Sequence, residues 1–479
     1  MNGKMICRTV GQSLLVEAAL LLLPAAAGLF YRERPIAFLI TAAIAALAGF
    51  LLTRPKQTVN TIYARDGFVA VSLVWIAMSA VGALPFVLSG DIPSYVDAFF
   101  ETMSGFTTTG ASILNNIEGL SKASLFWRSF THWIGGMGVL VFMMAVLPMS
   151  GEHSMHIMRA EVPGPVVGKL VPRASDTAKI LYIMYAALTA AETVFLLFGG
   201  MSFFDALLHA FATAGTGGFS TRNESIAAFN SPYIEMVIAS FLVLYGMNFN
   251  LYYLAFTGRL KTALKSEELH CYVLLILGAV AAVAAGIYGI YGSLGTTLKN
   301  AFFNVMTILS TAGFCTVDFT EWPQYIQTMI VVLMFIGGCA GSTGGGMKLS
   351  RVMLLLKNAG ADIRRMVSPR HVKRVRMDGK CVADNVLTTV SNFFFLYLTI
   401  LLLCTFVISF DGEDFATNFT AALSCISNIG PGLSKVGPAY NYSGFSALSK
   451  IVMSVTMLAG RLEIYPVLIL LMPKKTVRR

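Results

Sequence analysis

The feature that most constrains this chain is a series of long apolar runs separated by short connections that carry most of its charge. A helix needs about 20 mainly apolar residues to cross the hydrocarbon of a bilayer. With 56% apolar and 13% charged residues, the chain is predicted to be an all-α polytopic membrane protein. Ten candidate spans lie near residues 12–30, 36–53, 67–90, 123–148, 178–200, 232–256, 270–293, 325–357, 386–410 and 446–472.

Four shorter apolar segments follow the third, fifth, seventh and ninth spans. They are too short to cross a bilayer, so each is predicted to enter the membrane as a half-helix and return to the same side. The segments lie near residues 94–109, 202–217, 297–312 and 414–429. A small polar residue near the start of each is expected to cap its helix, namely Asp97, Asp205, Asn300 and Thr417.

Each half-helix is followed by a small polar residue and, two positions later, a glycine. The four stretches are Thr108-Thr109-Gly110, Thr216-Gly217-Gly218, Thr311-Ala312-Gly313 and Asn428-Ile429-Gly430. One such stretch has little value as a signal, but four copies at matched positions on one membrane face indicate a repeat. The sequence therefore predicts four pseudo-symmetric units, each a span, a half-helix and a second span (M1-P-M2), around one central pore.

This repeat divides the chain into five regions. The predicted M1-P-M2 units are residues 61–155, 156–265, 266–375 and 376–479, and residues 1–60 form an extra N-terminal pair of transmembrane helices. Both termini and the connections 54–66, 149–177, 257–269 and 348–385 together contain 25 Lys or Arg and 9 Asp or Glu. The opposite side contains 6 and 12. The positive-inside rule therefore predicts cytoplasmic termini and half-helices that enter from outside.

The chemistry of a pore explains why glycine stands at these positions. A dehydrated cation in hydrocarbon needs several oxygen dipoles in place of its water, and backbone carbonyls supply them without a fixed charge. Carbonyls that point to one axis from successive residues require unusual backbone angles, which glycine adopts without a side-chain penalty. The stretches resemble a degraded form of the potassium-channel signature TVGYG. They are predicted to form an ion filter in which backbone carbonyls bind a cation.

Two further features interrupt the spans. The eighth contains six glycines in ten residues, so an irregular intramembrane segment is predicted over 336–348, beneath the filter. The segment contains Gly337, Gly338, Gly341, Gly344, Gly345 and Gly346, and Lys348 stands at its end. The tenth span contains Arg461, which either forms a structural ion pair with another helix or faces the pore as a barrier to cations. Glu463 lies on a different face of that helix and is not its partner.

Other classes of function fit the sequence less well. A multispanning membrane enzyme is disfavoured, because no H-E-x-x-H or G-x-S-x-G motif is present and Met347 occupies the position of a P-loop lysine. A sodium-coupled or proton-coupled symporter of the same fold stays open. The sequence indicates no nucleic-acid partner and no cofactor within this chain.

The four stretches behind matched half-helices resemble the filter of the Trk/Ktr/HKT superfamily of potassium transporters. The resemblance covers almost the whole chain and is closest to the TrkH type, which also has the extra N-terminal pair. It implies that a glycine in each strand goes with potassium selectivity, that 336–348 is a flexible gate, and that Arg461 reaches the pore below the filter.

The same resemblance implies partners and a location. It implies a homodimer with one pore per subunit in the bacterial inner membrane. It also implies a cytoplasmic ring of the TrkA or KtrA type that controls opening and binds a nucleotide, either ATP/ADP or NAD. The basic segment 348–384 is the expected dock for that ring and also a surface for anionic lipid.

Overall fold

A computed structural model of the chain describes residues 3–54, 64–138, 174–368 and 374–472. The first part contains α1 (Gly3–Leu20), α2 (Leu22–Phe30), α3 (Ile36–Thr53), α4 (Ala64–Gly82), α5 (Leu84–Ser89), α6 (Tyr95–Phe106) and α7 (Lys122–Gly136). The next described part contains α8 (Ala174–Phe198), α9 (Phe203–Ala214), α10 (Pro232–Gly246), α11 (Phe249–Phe256), α12 (Leu260–Ala263), α13 (Glu267–Tyr291), α14 (Leu294–Leu309), α15 (Gln324–Ile336) and α16 (Leu349–Val367). The last contains β1 (Arg376–Met377), β2 (Lys380–Cys381), α17 (Asp384–Ile408), α18 (Phe415–Ser427), α19 (Ala447–Arg461) and α20 (Tyr465–Leu471).

The spanning helices are fewer than the ten predicted runs. Six helices or continuous helix pairs in the described residues are long and apolar enough to cross a membrane. They are Gly3–Phe30, Ile36–Thr53, Arg65–Ser89, Asp176–Phe198, Glu267–Tyr291 and Asp384–Asp411. A seventh is added if α10 and α11, bent by 87° relative to each other, count as one span.

The remaining three runs fail this test for different reasons. The run near 325–357 is interrupted between α15 and α16, as its glycines predict. The run near 446–472 is interrupted after α19, where Glu463 and Ile464 have φ angles of 59° and 69°. The run near 123–148 continues into residues outside the described part of the chain. No helix is present between Ile336 and Leu349, where irregular backbone was expected, whereas the second interruption was not anticipated.

The four predicted half-helices are α6, α9, α14 and α18, but their predicted caps are wrong. Three helices begin three residues earlier, at Ser94, Ser202 and Asp414, whose side chains accept hydrogen bonds from backbone N–H groups. Asp97, Asp205 and Thr417 occupy the third helical position instead. There the N–H of Asp205 donates to the Ser202 hydroxyl, which in turn donates to the Asp205 carboxylate at 2.9 Å. The Ser202 oxygen thus satisfies one of the free N–H groups in the first turn, and its hydroxyl proton is taken up by the aspartate. In the third helix, Asn300 lies well inside α14.

The N-terminal pair packs through small residues. A methyl group built on Gly11 would lie 2.8 Å from the carbonyl oxygen of Gly49, and one built on Gly49 would lie 2.7 Å from that of Gly11. Such close backbone approach is typical of helix packing in membranes, where lipid provides no hydrophobic drive between helices. Buried apolar residues then join this pair to the helices around α6, in one large core that includes Leu14, Trp75 and Phe106.

Candidate ion pathway

The four short helices end in the same conformation. In every copy, the residue two positions before the glycine has a left-handed backbone. These residues are Thr108, Thr216, Thr311 and Asn428, with φ between 53° and 63°. The glycines Gly110, Gly218, Gly313 and Gly430 have φ angles of 79°, 79°, 77° and 101°. Left-handed backbone is strained for threonine, which is β-branched, and much easier for asparagine.

Local hydrogen bonds fix this conformation. In each copy the residue just before the glycine donates its N–H to a carbonyl five residues earlier in the half-helix, at 2.8 to 3.0 Å. The pairs are Thr109 with Ser104, Gly217 with Ala212, Ala312 with Thr307, and Ile429 with Ser424. This is the bond of a Schellman motif, which satisfies a carbonyl at the end of a helix. Each strand is therefore shaped mainly by its own half-helix.

The four strands close into a ring. A methyl group built on any of the four glycines would meet the carbonyl oxygen of the residue before the glycine in the next strand. A methyl group on Gly110 would meet the oxygen of Gly217, and one on Gly218 that of Ala312. One on Gly313 would meet the oxygen of Ile429, and one on Gly430 that of Thr109, which closes the circle. The first three contacts would be overlaps and the last would be 3.0 Å. All four glycines line one cavity of about 90 Å³. The sequence-predicted residues of the four stretches are thus brought together.

This ring can hold a cation. Four helix C-termini, each with a partial negative charge from its unpaired carbonyls, meet around it. Backbone carbonyl oxygens are ligands suited to a dehydrated alkali cation. Arg128 also lines the cavity, but it is paired with Glu101, with the Nε and carboxylate oxygen 2.6 Å apart. Arg222 lines the cavity as well and lies 3.7 Å from the Asp205 carboxylate. Each arginine is thus matched by a carboxylate, which leaves the backbone carbonyls as the groups that can bind a cation.

Polar side chains brace two of the strands from behind. Glu101 accepts a hydrogen bond from the Ser112 hydroxyl at 2.9 Å, and His209 contacts the Ser220 hydroxyl at the same distance. Both serines lie two residues after the filter glycine. In the third copy, the Asn304 side-chain oxygen is buried without a hydrogen-bond partner. Glu101 and His209 therefore connect these two half-helices to the strands that follow them.

The glycine-rich segment lies against the third and fourth strands. The N–H of Gly345 donates to the Thr311 hydroxyl at 2.6 Å, and the N–H of Gly346 donates to the Ser427 carbonyl at 2.9 Å. A methyl group on Gly345 would overlap that carbonyl. Glycine is therefore required here by close approach between two backbones. The segment and the filter form one continuous site.

Distant elements hold the other side of this segment. The N–H of Cys339 donates to the Gly246 carbonyl at 2.9 Å, at the bend between α10 and α11. The Glu268 carboxylate accepts from the N–H of Ala340 at 2.7 Å. Lys348 is buried and its ammonium group donates to the carbonyl of Gly344. Sequence reasoning missed Glu268 and the bend, since nothing near either position signals a contact with the glycine-rich segment.

Arg461 joins this segment to the end of α7. Its guanidinium donates to the Thr343 carbonyl at 2.8 Å, to the Gly136 carbonyl at 2.6 Å, and to the Gly135 carbonyl. The carboxylate of Glu463 lies 2.5 Å from the guanidinium of Arg351, in the first turn of α16. Arg351 also stacks over the ring of Phe393, 4.2 Å from its centroid. Arg351 was not predicted as part of the site.

The fold and the site define a multispanning membrane protein in which half-helices deliver backbone carbonyls to one shared passage, the architecture of an ion channel or transporter. The comparisons with known proteins narrow this class. The profile of the TrkH family, described as cation transport proteins, matches residues 34–284 and 290–477. The chain therefore belongs to the TrkH family, which is a family of transport proteins rather than enzymes.

Individual relatives are similar over their full length. The chain is 37% identical to the Trk system potassium uptake protein TrkH of Salmonella typhimurium and 36% identical to that of Escherichia coli K12, covering 99% of each chain. It also superposes on the crystal structure of the potassium transporter TrkH from Vibrio parahaemolyticus with a TM-score of 0.89. There the identity is 34% and 99% of both chains is covered.

Proposed function

We propose that this chain takes up potassium across the bacterial inner membrane through the ring formed by its four glycine stretches. The observation that carries the proposal is the closed succession of contacts, in which each filter glycine meets a carbonyl of the next strand. A ring of carbonyls that replaces the water of a dehydrated cation is the known solution for potassium filters. The relatives named as potassium uptake proteins support the same ion.

The architecture we propose is four M1-P-M2 units around this pore. They occupy residues 61–155, 156–265, 266–375 and 376–479, with residues 1–60 as an additional helix pair. The shared conformation of the four half-helix ends supports this division. We also propose that both termini are cytoplasmic and that the half-helices enter from outside, because positive charge is concentrated in the connections on the opposite side.

The segment 336–348 and Arg461 form the proposed gate. The segment bonds directly to two filter strands, so a change in its position alters the passage just beneath the ring. Arg461 adds a buried positive charge at the same level, which opposes cations. Shortening the segment by Gly344 and Gly345 is expected to raise the open probability in single-channel recordings, and unchanged gating would contradict this role.

The proposed partners follow from the family. We propose a homodimer with one pore per subunit, controlled by a cytoplasmic ring of the TrkA or KtrA type that binds ATP/ADP or NAD. The last turn of α16 and the β1–β2 hairpin carry exposed basic residues on the predicted cytoplasmic side, among them Arg364 and Arg365. A basic surface suits both an acidic protein partner and anionic lipid.

Uptake of radioactive rubidium or potassium by proteoliposomes tests the function. With a membrane potential alone, potassium is expected to enter, because each 100 mV supplies about 2.3 kcal/mol per charge. A strict requirement for a sodium or proton gradient would instead favour a symporter of the same fold. Failure of potassium to cross, with protein that is folded and inserted, would overturn the proposal.

A further inference from the structure

The fourth filter strand differs from the others in the direction of one carbonyl. The carbonyl oxygen of Gly430 accepts two hydrogen bonds, from the Ser424 hydroxyl and from the Tyr442 hydroxyl, each at 2.7 Å. A carbonyl oxygen has two lone pairs. Both donors are buried, so this oxygen is fully used by the protein.

The position of Ser424 fixes which way the carbonyl turns. Ser424 lies on α18, the half-helix behind the fourth strand, and its side chain is fully buried. A hydroxyl on the supporting helix reaches the Gly430 oxygen only if that oxygen faces the helix rather than the axis. In the described structure, the carbonyls of Gly110 and Gly218 accept no hydrogen bond from a protein group.

The third strand provides the closest comparison. Thr307, which occupies the position of Ser424 on its own half-helix, donates at 3.0 Å to the carbonyl of Phe314, one residue beyond the filter glycine. The carbonyl of Gly313 has only the thiol of Cys315 near it, at 3.5 Å. In the third strand, the carbonyl that bonds back to the half-helix belongs to the residue after the filter glycine. In the fourth strand it belongs to the filter glycine itself.

Proline explains how the fourth strand tolerates this. A peptide unit is planar, so turning a carbonyl outward turns the following N–H inward. An N–H that points at the pore would repel cations, but the following residue here is Pro431, which has no N–H. The pyrrolidine ring of Pro431 lies beside the third strand, and its Cδ is 2.6 Å from a methyl group built on Gly313. The equivalent residue of the first strand is Ala111.

We propose that Ser424 and Tyr442 are specificity-determining residues that hold the Gly430 carbonyl out of the ion path. At the level of the filter glycines, the ion then meets carbonyl oxygens from three strands only. The fourth side is occupied by the pyrrolidine ring of Pro431. Fewer oxygens at this level compensate less of the lost hydration of the ion, which relaxes discrimination between potassium and sodium. This inference rests on the proposed function of the ring as a potassium filter.

Reversal potentials in mixed potassium and sodium, measured on the full-length protein in bilayers, test the inference. Tyr442→Phe removes one oxygen and keeps the ring, and Ser424→Ala removes the other donor. The double variant is expected to raise the ratio of potassium to sodium permeability several-fold, because the carbonyl is released toward the axis. A ratio that is unchanged or lower would overturn the inference. Tyr272→Phe, a buried tyrosine whose hydroxyl donates to Val243 at 3.4 Å, is the matched control.

A second variant tests the turned peptide independently. Pro431→Ala supplies an N–H at the position held by Ala111 in the first strand. If the peptide between Gly430 and residue 431 is turned, Pro431→Ala alone lowers the potassium current several-fold. Adding Ser424→Ala and Tyr442→Phe restores the current, so the effects of the substitutions are not additive. Additive or neutral behaviour would overturn the inference. Gly110→Ser is measured alongside: if it leaves the permeability ratio unchanged, the filter assignment itself fails, whatever the other variants do.

Discussion

The filter strands and the glycine-rich segment both place irregular backbone inside the membrane, but they are held in different ways. Each filter strand is shaped by a hydrogen bond to its own half-helix, five residues away. The glycine-rich segment forms hydrogen bonds with residues from separate parts of the chain. These are Gly246 at the bend, Glu268, Thr311, Ser427 and Arg461.

This difference in support predicts a difference in behaviour. A loop fixed by its own helix keeps its shape when other elements move, which suits a filter that must present the same oxygens at all times. A loop fixed by distant elements changes position when any of them shifts, which suits a gate. We expect four effects of decreasing size.

The largest effect is expected in the filter itself. Gly110→Ser places a side chain at a φ of 79°, where it would overlap the carbonyl of Gly217. Strain of about 1–3 kcal/mol at one ion site is expected to reduce the ratio of potassium to sodium permeability about tenfold or more, since ~1.4 kcal/mol corresponds to a factor of ten. Reversal potentials measure it.

Gly90→Ser is the matched control. Gly90 has nearly the same φ, 80°, but a methyl group built on it meets no atom within 4 Å. The backbone strain is therefore similar and only the surroundings differ. Equal loss of selectivity in both variants would show that Gly110 acts through general stability and not through the ring.

The second effect concerns the gate. Arg461→Gln removes a buried positive charge and releases the carbonyls of Thr343 and Gly136 from the guanidinium. Uptake is expected to rise about tenfold, because a nearby charge changes the barrier for a cation by more than ~1.4 kcal/mol. Initial rates of rubidium uptake measure it, with Arg34→Gln at an exposed position as the control. A fall in rate would mean that Arg461 holds the passage open.

These two sites also show what the sequence could and could not predict. The repeated Thr108-to-Gly110 pattern predicted the backbone conformation that the four strands share, because locally determined backbone repeats wherever the local sequence repeats. The break over 336–348 was equally visible, since glycine destabilises a helix wherever it stands. The partners of that break were not visible, because contacts such as those of Glu268 depend on the packing of distant helices. Three of the four half-helix caps were misplaced by one turn, because two good capping residues such as Ser94 and Asp97 stand three positions apart.

The third effect is expected where the gate meets the proposed cytoplasmic side. Glu463→Gln keeps the shape of the side chain but removes its attraction to Arg351, which is 6% exposed while Glu463 is 23% exposed. A partly exposed ion pair contributes about 0.5–1 kcal/mol, so uptake is expected to change roughly twofold to fivefold. The change should exceed that of Glu413→Gln, whose partner Lys435 is 66% exposed. Equal effects would mean that α16 is not coupled to the gate.

The smallest effect is expected at the start of α18, where support is purely local. Hydrogen bonds from the hydroxyl and the backbone N–H of Thr417 lower the pKa of Asp414 below the usual range of an aspartate. A carboxyl with a lowered pKa in the folded state stabilises that state at pH values above its ordinary pKa, and the contribution is lost as the pH falls through the lowered value. Loss of the cap in Asp414→Ala is expected to cost about 1 kcal/mol at neutral pH.

Asp414→Asn separates the cap from its charge. Asparagine caps a helix about as well as aspartate, so this variant should match the wild type at neutral pH in thermal unfolding of the purified protein. It should then lose less stability than the wild type on acidification, because it has no carboxylate to protonate. Potassium selectivity should stay unchanged in both variants, since the filter strand is fixed at the other end of α18 by the bond between Ile429 and Ser424. A change in selectivity would show that the filter depends on its half-helix along its whole length, and that its support is less local than the Schellman motif alone implies.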